Sequence, residues 1–197
     1  MRAAMHAVLF VLLFGCVLLA TAQEGAGKST KDDGNCGILY GKGHMFSVCA
    51  PKGWVLNNSM HEQTGLWAVF YPDGSSWDEA KDSGSVMYVN TAGKGKGQQN
   101  VAELMAFDAE ATKKDAPRVE IAKRTAIKFT EESATVQEFR HSGFDRFEAV
   151  AYIDTQNLIV MIAITSKDET SFKRDYPAFE ELVRSYKFFS SNVTVHQ

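Results

Sequence analysis

The sequence predicts an α+β fold in which a mostly antiparallel β-sheet is flanked by helices, forming an α/β/α sandwich. Two segments with helical periodicity lie far apart, one at residues 98–114 and one after residue 168. Short β-like runs joined by hairpin-type turns fill the rest of the chain. Helices of this kind bury their apolar faces against the sheet, so we expect one globular domain over residues 37–189.

The first predicted element is a β-hairpin formed by residues 37–40 and 44–50. Gly41-Lys42-Gly43 between these runs is a hairpin turn signal. The hairpin would place Cys36 and Cys49 near each other at its open end. An even pair of cysteines in an exported chain predicts a structural disulfide, which would contribute about 3 kcal/mol. The spacing is too long for a redox site of the Cys-x-x-Cys type.

Two further strands precede the first helix. Residues 66–71 end at the turn sequence Pro72-Asp73-Gly74, and residues 86–90 precede a glycine- and lysine-rich loop. Residues 98–114 then change to helical spacing, and Pro117 ends the helix. Four apolar residues define its buried face: Val101, Leu104, Met105 and Ala109.

Four strands follow the helix. Residues 119–129 alternate between apolar and polar, which predicts a strand with one buried face: Val119, Ile121, Thr125, Ile127 and Phe129. Residues 134–140 and 144–154 form two more strands. The last strand, residues 157–166, contains an unbroken apolar run, so both of its faces must be covered and it should be central in the sheet.

The closing helix has the clearest periodicity in the chain. Its apolar residues are spaced by three or four: Phe172, Tyr176, Phe179, Val183 and Tyr186. Because proline is tolerated in the first turn of a helix, we expect Pro177 to begin the main helix. Residues 168–175 would then form a separate preceding turn.

The amino terminus predicts export. Arg2 precedes an apolar run at residues 7–20, and Ala20-Thr21-Ala22 is a typical cleavage site, so we expect a signal peptide at residues 1–22. Lipoprotein anchoring at Cys16 and an uncleaved anchor remain as alternatives. Residues 23–35 have the composition of a disordered leader, and residues 190–197 that of a flexible tail.

Charge excludes some partner classes. The chain has 21 Lys and Arg against 24 Asp and Glu, and loss of Arg2 with the signal peptide changes the formal net charge from −3 to −4. A mildly acidic protein has no electrostatic reason to bind nucleic acid or anionic lipid. No segment after the signal peptide could span a membrane, and we expect the partner to be another envelope protein.

Three segments resemble the PsbP-like superfamily, which includes Ran-binding import factors and bacterial DcrB-like envelope proteins. They are the strand and turn FSVCAPKGW at residues 46–54, the strand AVAYID at residues 149–154 and the closing helix FEELVRSYKF at residues 179–188. The resemblance covers about residues 37–189. It implies an α/β/α sandwich and a secreted or envelope protein that binds or assembles with others, and it assigns no functional residue.

Aromatic residues are the strongest indication of a binding surface. The tryptophans and two of the tyrosines concentrate in the first half of the chain, around the loop at residues 72–84: Trp54, Trp67, Tyr71, Trp77 and Tyr88. Large rings on loops often bind partners. We assign Trp54 and Trp67 to the core, and Tyr71, Trp77 and Lys81 to a partner-binding surface around the loop at residues 72–84.

The sequence contains no recognisable catalytic, metal or cofactor motif. The histidines are isolated, and His61 begins a zincin-like sequence that has Gly65 where the second ligand is required. We therefore expect a non-enzymatic binding protein. A small-molecule or lipid carrier, or a hydrolase with a pocket between sheet and helix, is the alternative. Asn57 and Asn192 lie in glycosylation sequons, which matter only in a eukaryotic secretory pathway.

Overall fold

A computed structural model describes residues 35–95, 98–130, 132–142 and 145–194. The helices are α1 (His61–Thr64), α2 (Trp77–Ser83), α3 (Val101–Asp115) and α4 (Glu169–Arg184). The strands are β1 (Cys36–Gly41), β2 (His44–Cys49), β3 (Trp54–Asn57), β4 (Ala68–Pro72), β5 (Ser85–Gly93), β6 (Glu120–Phe129), β7 (Glu132–Ser142), β8 (Arg146–Asp154), β9 (Leu158–Ser166) and β10 (Lys187–Ser190).

Seven of the strands form an antiparallel sheet in the order β3-β4-β5-β9-β8-β7-β6. The strand with the unbroken apolar run, β9, is the central one, as predicted. Its alternate residues pack on opposite faces of the sheet. Leu158, Val160, Ile162 and Ile164 belong to the core under α4, whereas Ile159 and Ala163 belong to the core under α3. The helices cover both faces, which confirms the α+β sandwich.

The edge strand β6 differs from the prediction because it contains a β-bulge. The register with β7 shifts between Arg124 and Ile127, which inserts one extra residue on β6. Since side chains alternate along a strand, one extra residue moves all later side chains to the other face. Ile121 therefore packs on the α3 side, whereas Ile127 and Phe129 pack on the α4 side. Thr125, expected in the core, is exposed.

A second, three-stranded sheet in the order β1-β2-β10 corrects the expectation of a single sheet. The predicted hairpin of β1 and β2 is present, with Gly43 at φ 79° in its turn, where glycine is favoured. The segment expected to extend the last helix instead forms β10, which pairs with β2. Beyond it, the amide of Gly43 donates to the carbonyl of Val193 at 3.0 Å. Residues 195–197 of the expected tail lie outside the described residues.

The closing helix α4 is one continuous helix, which corrects the expected break before Pro177. It starts at Asp168, whose side chain accepts a hydrogen bond from the amide of Ser171 at 2.8 Å. Pro177 lies inside the helix and is exposed. Burial of Phe172, Phe179 and other apolar residues against the sheet keeps the helix intact despite the missing amide.

The helices on the opposite face are shorter or less apolar. The predicted helix α3 begins at Asn100, whose side chain caps the amide of Glu103, and it buries Leu104. The region expected to be a loop at residues 72–84 contains the helix α2, capped by Ser76. Among the described residues, no helix is both long and apolar enough to cross a membrane.

Cys36 and Cys49 are paired across β1 and β2 and form a disulfide. The bond closes the open end of the hairpin, as expected from the sequence. The predicted signal peptide at residues 1–22, including Cys16, lies outside the described residues, and so do residues 23–34 of the predicted leader.

Candidate functional site

The candidate site lies on the face of the seven-stranded sheet that carries α2 and α3. The strand register places Val86 and Tyr88 of β5, Thr165 of β9 and Glu148 of β8 on this face. The other face is filled by α4 and the three-stranded sheet, with a core that contains Phe46, Phe70 and Phe179. The α3 face is less completely filled, because α2 and α3 leave the sheet partly uncovered between them.

The position of α2 is fixed at both ends. Ser76 caps its first turn by accepting a hydrogen bond from the amide of Glu79 at 3.3 Å. Near its carboxyl end, the guanidinium of Arg146 on β8 donates to the carbonyl of Lys81 at 2.7 Å. Trp77 is the first residue of this helix and is half-buried. The cap stabilises the first turn of α2, and the contact with Arg146 holds its carboxyl end, with Lys81, over the sheet.

Between α2 and the sheet lies a cavity of about 560 Å³, which we call the outer groove. This volume is within the range of about 300–1,000 Å³ typical of ligand pockets. The groove is lined by apolar side chains together with two basic side chains and one acidic side chain. The lining residues are Leu66, Trp77, Lys81, Asp82, Val86, Tyr88, Arg146 and Thr165.

The structure places two of the three predicted surface residues in this groove. Trp77 and Lys81 both line it. Tyr71 lies on β4, is half-buried and is not among the lining residues. The sequence missed Leu66, Val86 and Arg146, because strand residues become groove residues only when a helix leaves them uncovered.

A second cavity of about 250 Å³, which we call the inner cavity, lies between α3 and the sheet. Tyr88 lines both cavities, so they meet at its side chain. The hydroxyl of Tyr88 donates to Glu148 Oε1 at 2.7 Å, and Thr165 donates to the same oxygen at 3.4 Å. The carboxylate is thereby held beneath the helix.

Asp108 is the second carboxylate of the inner cavity. It projects from α3, and its Oδ2 accepts a hydrogen bond from the hydroxyl of Tyr152 at 2.7 Å. Burial raises the pKa of Asp108, and the bond from Tyr152 partly offsets that rise. Burial likewise raises the pKa of Glu148, against the bonds from Tyr88 and Thr165.

The two tyrosines act as hydrogen-bond donors in this arrangement. Burial, followed by the charge of Glu148, raises the pKa of Tyr88 well above its ordinary value. Burial and then the charge of Asp108 raise the pKa of Tyr152 in the same direction. Both phenols therefore stay protonated and orient the carboxylates.

The remaining predicted tryptophans are in or beside the core. Trp54 is buried, and Trp67 is half-buried with its indole N–H donating to Thr91 at 3.0 Å. His61 stacks on Trp67 and His44 meets the same ring edge-on. The cavity that is lined by His61 is larger, about 1080 Å³, and its lining extends to Thr194, the last described residue.

Comparison with known proteins identifies the fold. No protein-family model matches the chain, and no curated protein matches its sequence. Among solved structures, the Ran-binding protein Mog1p of Saccharomyces cerevisiae matches with a TM-score of 0.50 at 16% identity, over 77% of this chain and 93% of that one. The cyanobacterial PsbP protein of Synechocystis has a TM-score of 0.49 at 11% identity, over 79% and 93%.

A protein of unknown function from Pseudomonas aeruginosa has a TM-score of 0.46 at 13% identity, over 77% of this chain and 96% of that one. These identities are low, so the matches concern the fold. Together with the order of strands and helices, the match to Mog1p shows that this chain has the same fold, in agreement with the α/β/α sandwich that the resemblance implies.

Proposed function

We propose that this protein is a non-enzymatic binding protein that holds a partner protein in the outer groove. The single observation that carries the proposal is a groove of about 560 Å³ that exposes an aromatic residue and aliphatic residues on a fixed framework. A half-buried tryptophan beside Leu66 and Val86 gives an apolar side chain of a partner a site to fill. Such aromatic positions often supply most of an interface's binding energy.

Charge at the groove indicates what the partner presents. Lys81 and Arg146 line it together with Asp82, so the lining itself offers two basic groups and one acidic group. Lys81 also lies 3.4 Å from Asp78, but both side chains are well exposed and this pair is weak. We infer that the partner inserts an apolar or aromatic side chain flanked by an acidic residue.

The fold supports a binding role. The matched yeast structure is named as a Ran-binding protein, so this fold can present a protein-binding surface. Its partner does not transfer to this chain, because one fold serves unrelated partners.

The compartment in this proposal is the envelope or the exterior. The Cys36–Cys49 disulfide is of the kind that persists in an oxidising compartment. The signal peptide predicted at residues 1–22, with cleavage after Ala22, is part of the same proposal, and so is an envelope protein as the partner.

Site-specific photo-crosslinking in cells tests the groove. A photoreactive amino acid replaces Lys81, and in a parallel strain it replaces Asp73, which is exposed in the turn after β4. We expect a discrete adduct with one protein from position 81 that is absent from position 73. Identical adducts from both positions would contradict the proposal.

The purified partner then provides a quantitative test. Trp77→Ala should weaken its affinity about tenfold or more, because the ring would be a central contact. Tyr71→Ala is the matched control, since Tyr71 is an aromatic residue near α2 that does not line the groove. Equal affinity of wild type and Trp77→Ala would assign binding to another surface.

A further inference from the structure

The inner cavity contains charge that the proposed protein-binding groove does not use. Glu148 and Asp108 each accept from a tyrosine through one oxygen. Their other oxygens, Glu148 Oε2 and Asp108 Oδ1, accept no hydrogen bond from the described residues. Two half-buried carboxylates are costly in a low-dielectric site unless a positive group or protons compensate them.

No basic side chain of the described chain provides that compensation. The lining consists of Tyr88, Asn90, Asp108, Ala111, Thr112, Phe139, Glu148, Val150, Tyr152, Met161 and Ala163, without Lys, Arg or His. Elsewhere in the fold, a buried carboxylate is paired differently: Glu138 contacts both Arg124 and Arg140. Glu138 therefore has the basic partners that Glu148 and Asp108 lack.

A buried acceptor on the same sheet face, outside the cavity lining, also has no donor among the described residues. Gln137 is 6% exposed, and its amide oxygen has no hydrogen-bond partner among the described residues. It is paired on β7 with Val150 of β8, so it projects from the same sheet face as that lining residue. This face therefore has more acceptors than the surrounding chain satisfies, which favours a ligand rich in donors.

The walls of the cavity suit an organic cation. The rings of Tyr88, Tyr152 and Phe139 and the side chain of Met161 supply apolar and aromatic surface. Aromatic faces attract cations, and an ammonium group donates up to three hydrogen bonds. The volume of about 250 Å³ is just below the usual range for drug-sized ligands, so the occupant is small.

From the cavity, its aromatic walls and its two uncompensated carboxylates, we propose that the inner cavity binds a primary alkylammonium group. The group can belong to a free amine or to a lysine side chain. Its ammonium lies between Glu148 and Asp108, and its alkyl chain contacts the rings. This site goes beyond the outer groove and does not require a protein partner.

Calorimetric titration of the wild-type protein tests the proposal without any variant. The probe is n-butylamine at neutral pH, and 1-butanol is the uncharged control of the same shape. We expect butylamine to bind about tenfold more tightly or better, because a charge-assisted hydrogen bond is lost in the alcohol. Equal binding of the two probes, or no binding of butylamine, would overturn the proposal.

A second titration distinguishes the two sources of the ammonium group. The probe is N-acetyl-lysine methylamide, which presents a lysine side chain without other charges. Binding of this probe as well as butylamine would identify a lysine side chain as an acceptable ligand. Binding of butylamine alone would identify a free amine.

Conservative variants locate the site. Glu148→Gln and Asp108→Asn should each weaken butylamine binding about tenfold or more. Glu110→Gln is the control and should not weaken binding, because Glu110 is exposed on α3, the helix that carries Asp108. Trp77→Ala should leave butylamine affinity unchanged, so that failure of the outer groove and failure of the inner cavity are separate results. Loss of butylamine binding in Glu110→Gln but not in the other two carboxylate variants would contradict the assignment.

Discussion

His44 shows how one side chain can make stability depend on pH. It is 4% exposed, and both ring nitrogens lack a geometrically satisfactory hydrogen-bond partner among the described residues. Its ring contacts Phe46 and Trp67, and the charged residue nearest to it in the sequence is Lys42. Burial lowers the pKa of His44 below 6.5, against a smaller opposing effect of the Lys42 backbone.

The sign of the resulting pH dependence follows from this shift. The folded state binds the His44 proton less readily than the unfolded state, so the stability of the fold with neutral His44 is fully present above pH 6.5. As the pH falls below that value, proton uptake by the unfolded state progressively lowers the free energy of unfolding. We therefore expect the free energy of unfolding of wild type, relative to His44→Phe, to decrease between about pH 7 and pH 5.

Urea unfolding at several pH values measures this difference. Comparison with His44→Phe removes the opposing contributions of Glu148 and Asp108, which are common to both proteins. His61→Phe is the matched control, because His61 packs on the same tryptophan but is exposed. A difference between wild type and His44→Phe that stays constant over this range would contradict the role assigned to His44.

At the scale of elements, sequence periodicity predicts regular strands and helices better than it predicts the points where they are interrupted or end. The β9 run, the β1–β2 hairpin and the α3 helix follow from composition and turn residues alone. The bulge in β6 is not visible, because an inserted residue leaves the local alternation intact and only the pairing with β7 reveals it. Strand β10 was missed because its aromatic residues continue the apolar pattern of the preceding helix.

The prediction that the main helix begins at Pro177 is wrong, and the position of this proline inside α4 has a measurable consequence. Proline lacks the amide that would donate to the carbonyl of Lys173, so it weakens the middle of α4. Because Pro177 is exposed, we expect Pro177→Ala to increase the free energy of unfolding by about 1 kcal/mol or more. For a domain of this size, that corresponds to a rise in Tm of about 2–4 °C.

Thermal unfolding followed by circular dichroism measures the effect. Lys173→Ala is the control on the same helix, since it removes only an exposed ion pair with Glu169 and should change stability by less than about 1 kcal/mol. A Tm for Pro177→Ala at or below that of wild type would show that the proline favours the packing of Tyr176 and Phe179.

At the scale of the whole molecule, the two faces of the large sheet differ in how completely they are filled. The α4 face has a continuous core closed by the three-stranded sheet. The α3 face is covered by one helix of modest apolarity and by the short α2, which leaves both cavities. This asymmetry is the reason why we propose the α3 face, and not the α4 face, as the binding face.

The site was only partly predictable from the sequence. Trp77 and Lys81 could be identified because a tryptophan among polar neighbours has no evident place in a core. Asp108 is marked in the sequence by its position four residues after Leu104, on the helix face that should be apolar. Glu148 likewise interrupts an apolar strand, but its meeting with Asp108 and Tyr88 depends on the packing of α3 against the sheet.

Hydrogen–deuterium exchange of the protein, with and without the purified partner that crosslinking identifies, tests the central claim most directly. If the outer groove binds the partner, amides of α2 and the start of β5 will exchange more slowly in the complex, and those of β1 and β10 will be unchanged. Protection confined to β1 and β10, with α2 exchanging as in the free protein, would place the interface on the other side of the molecule.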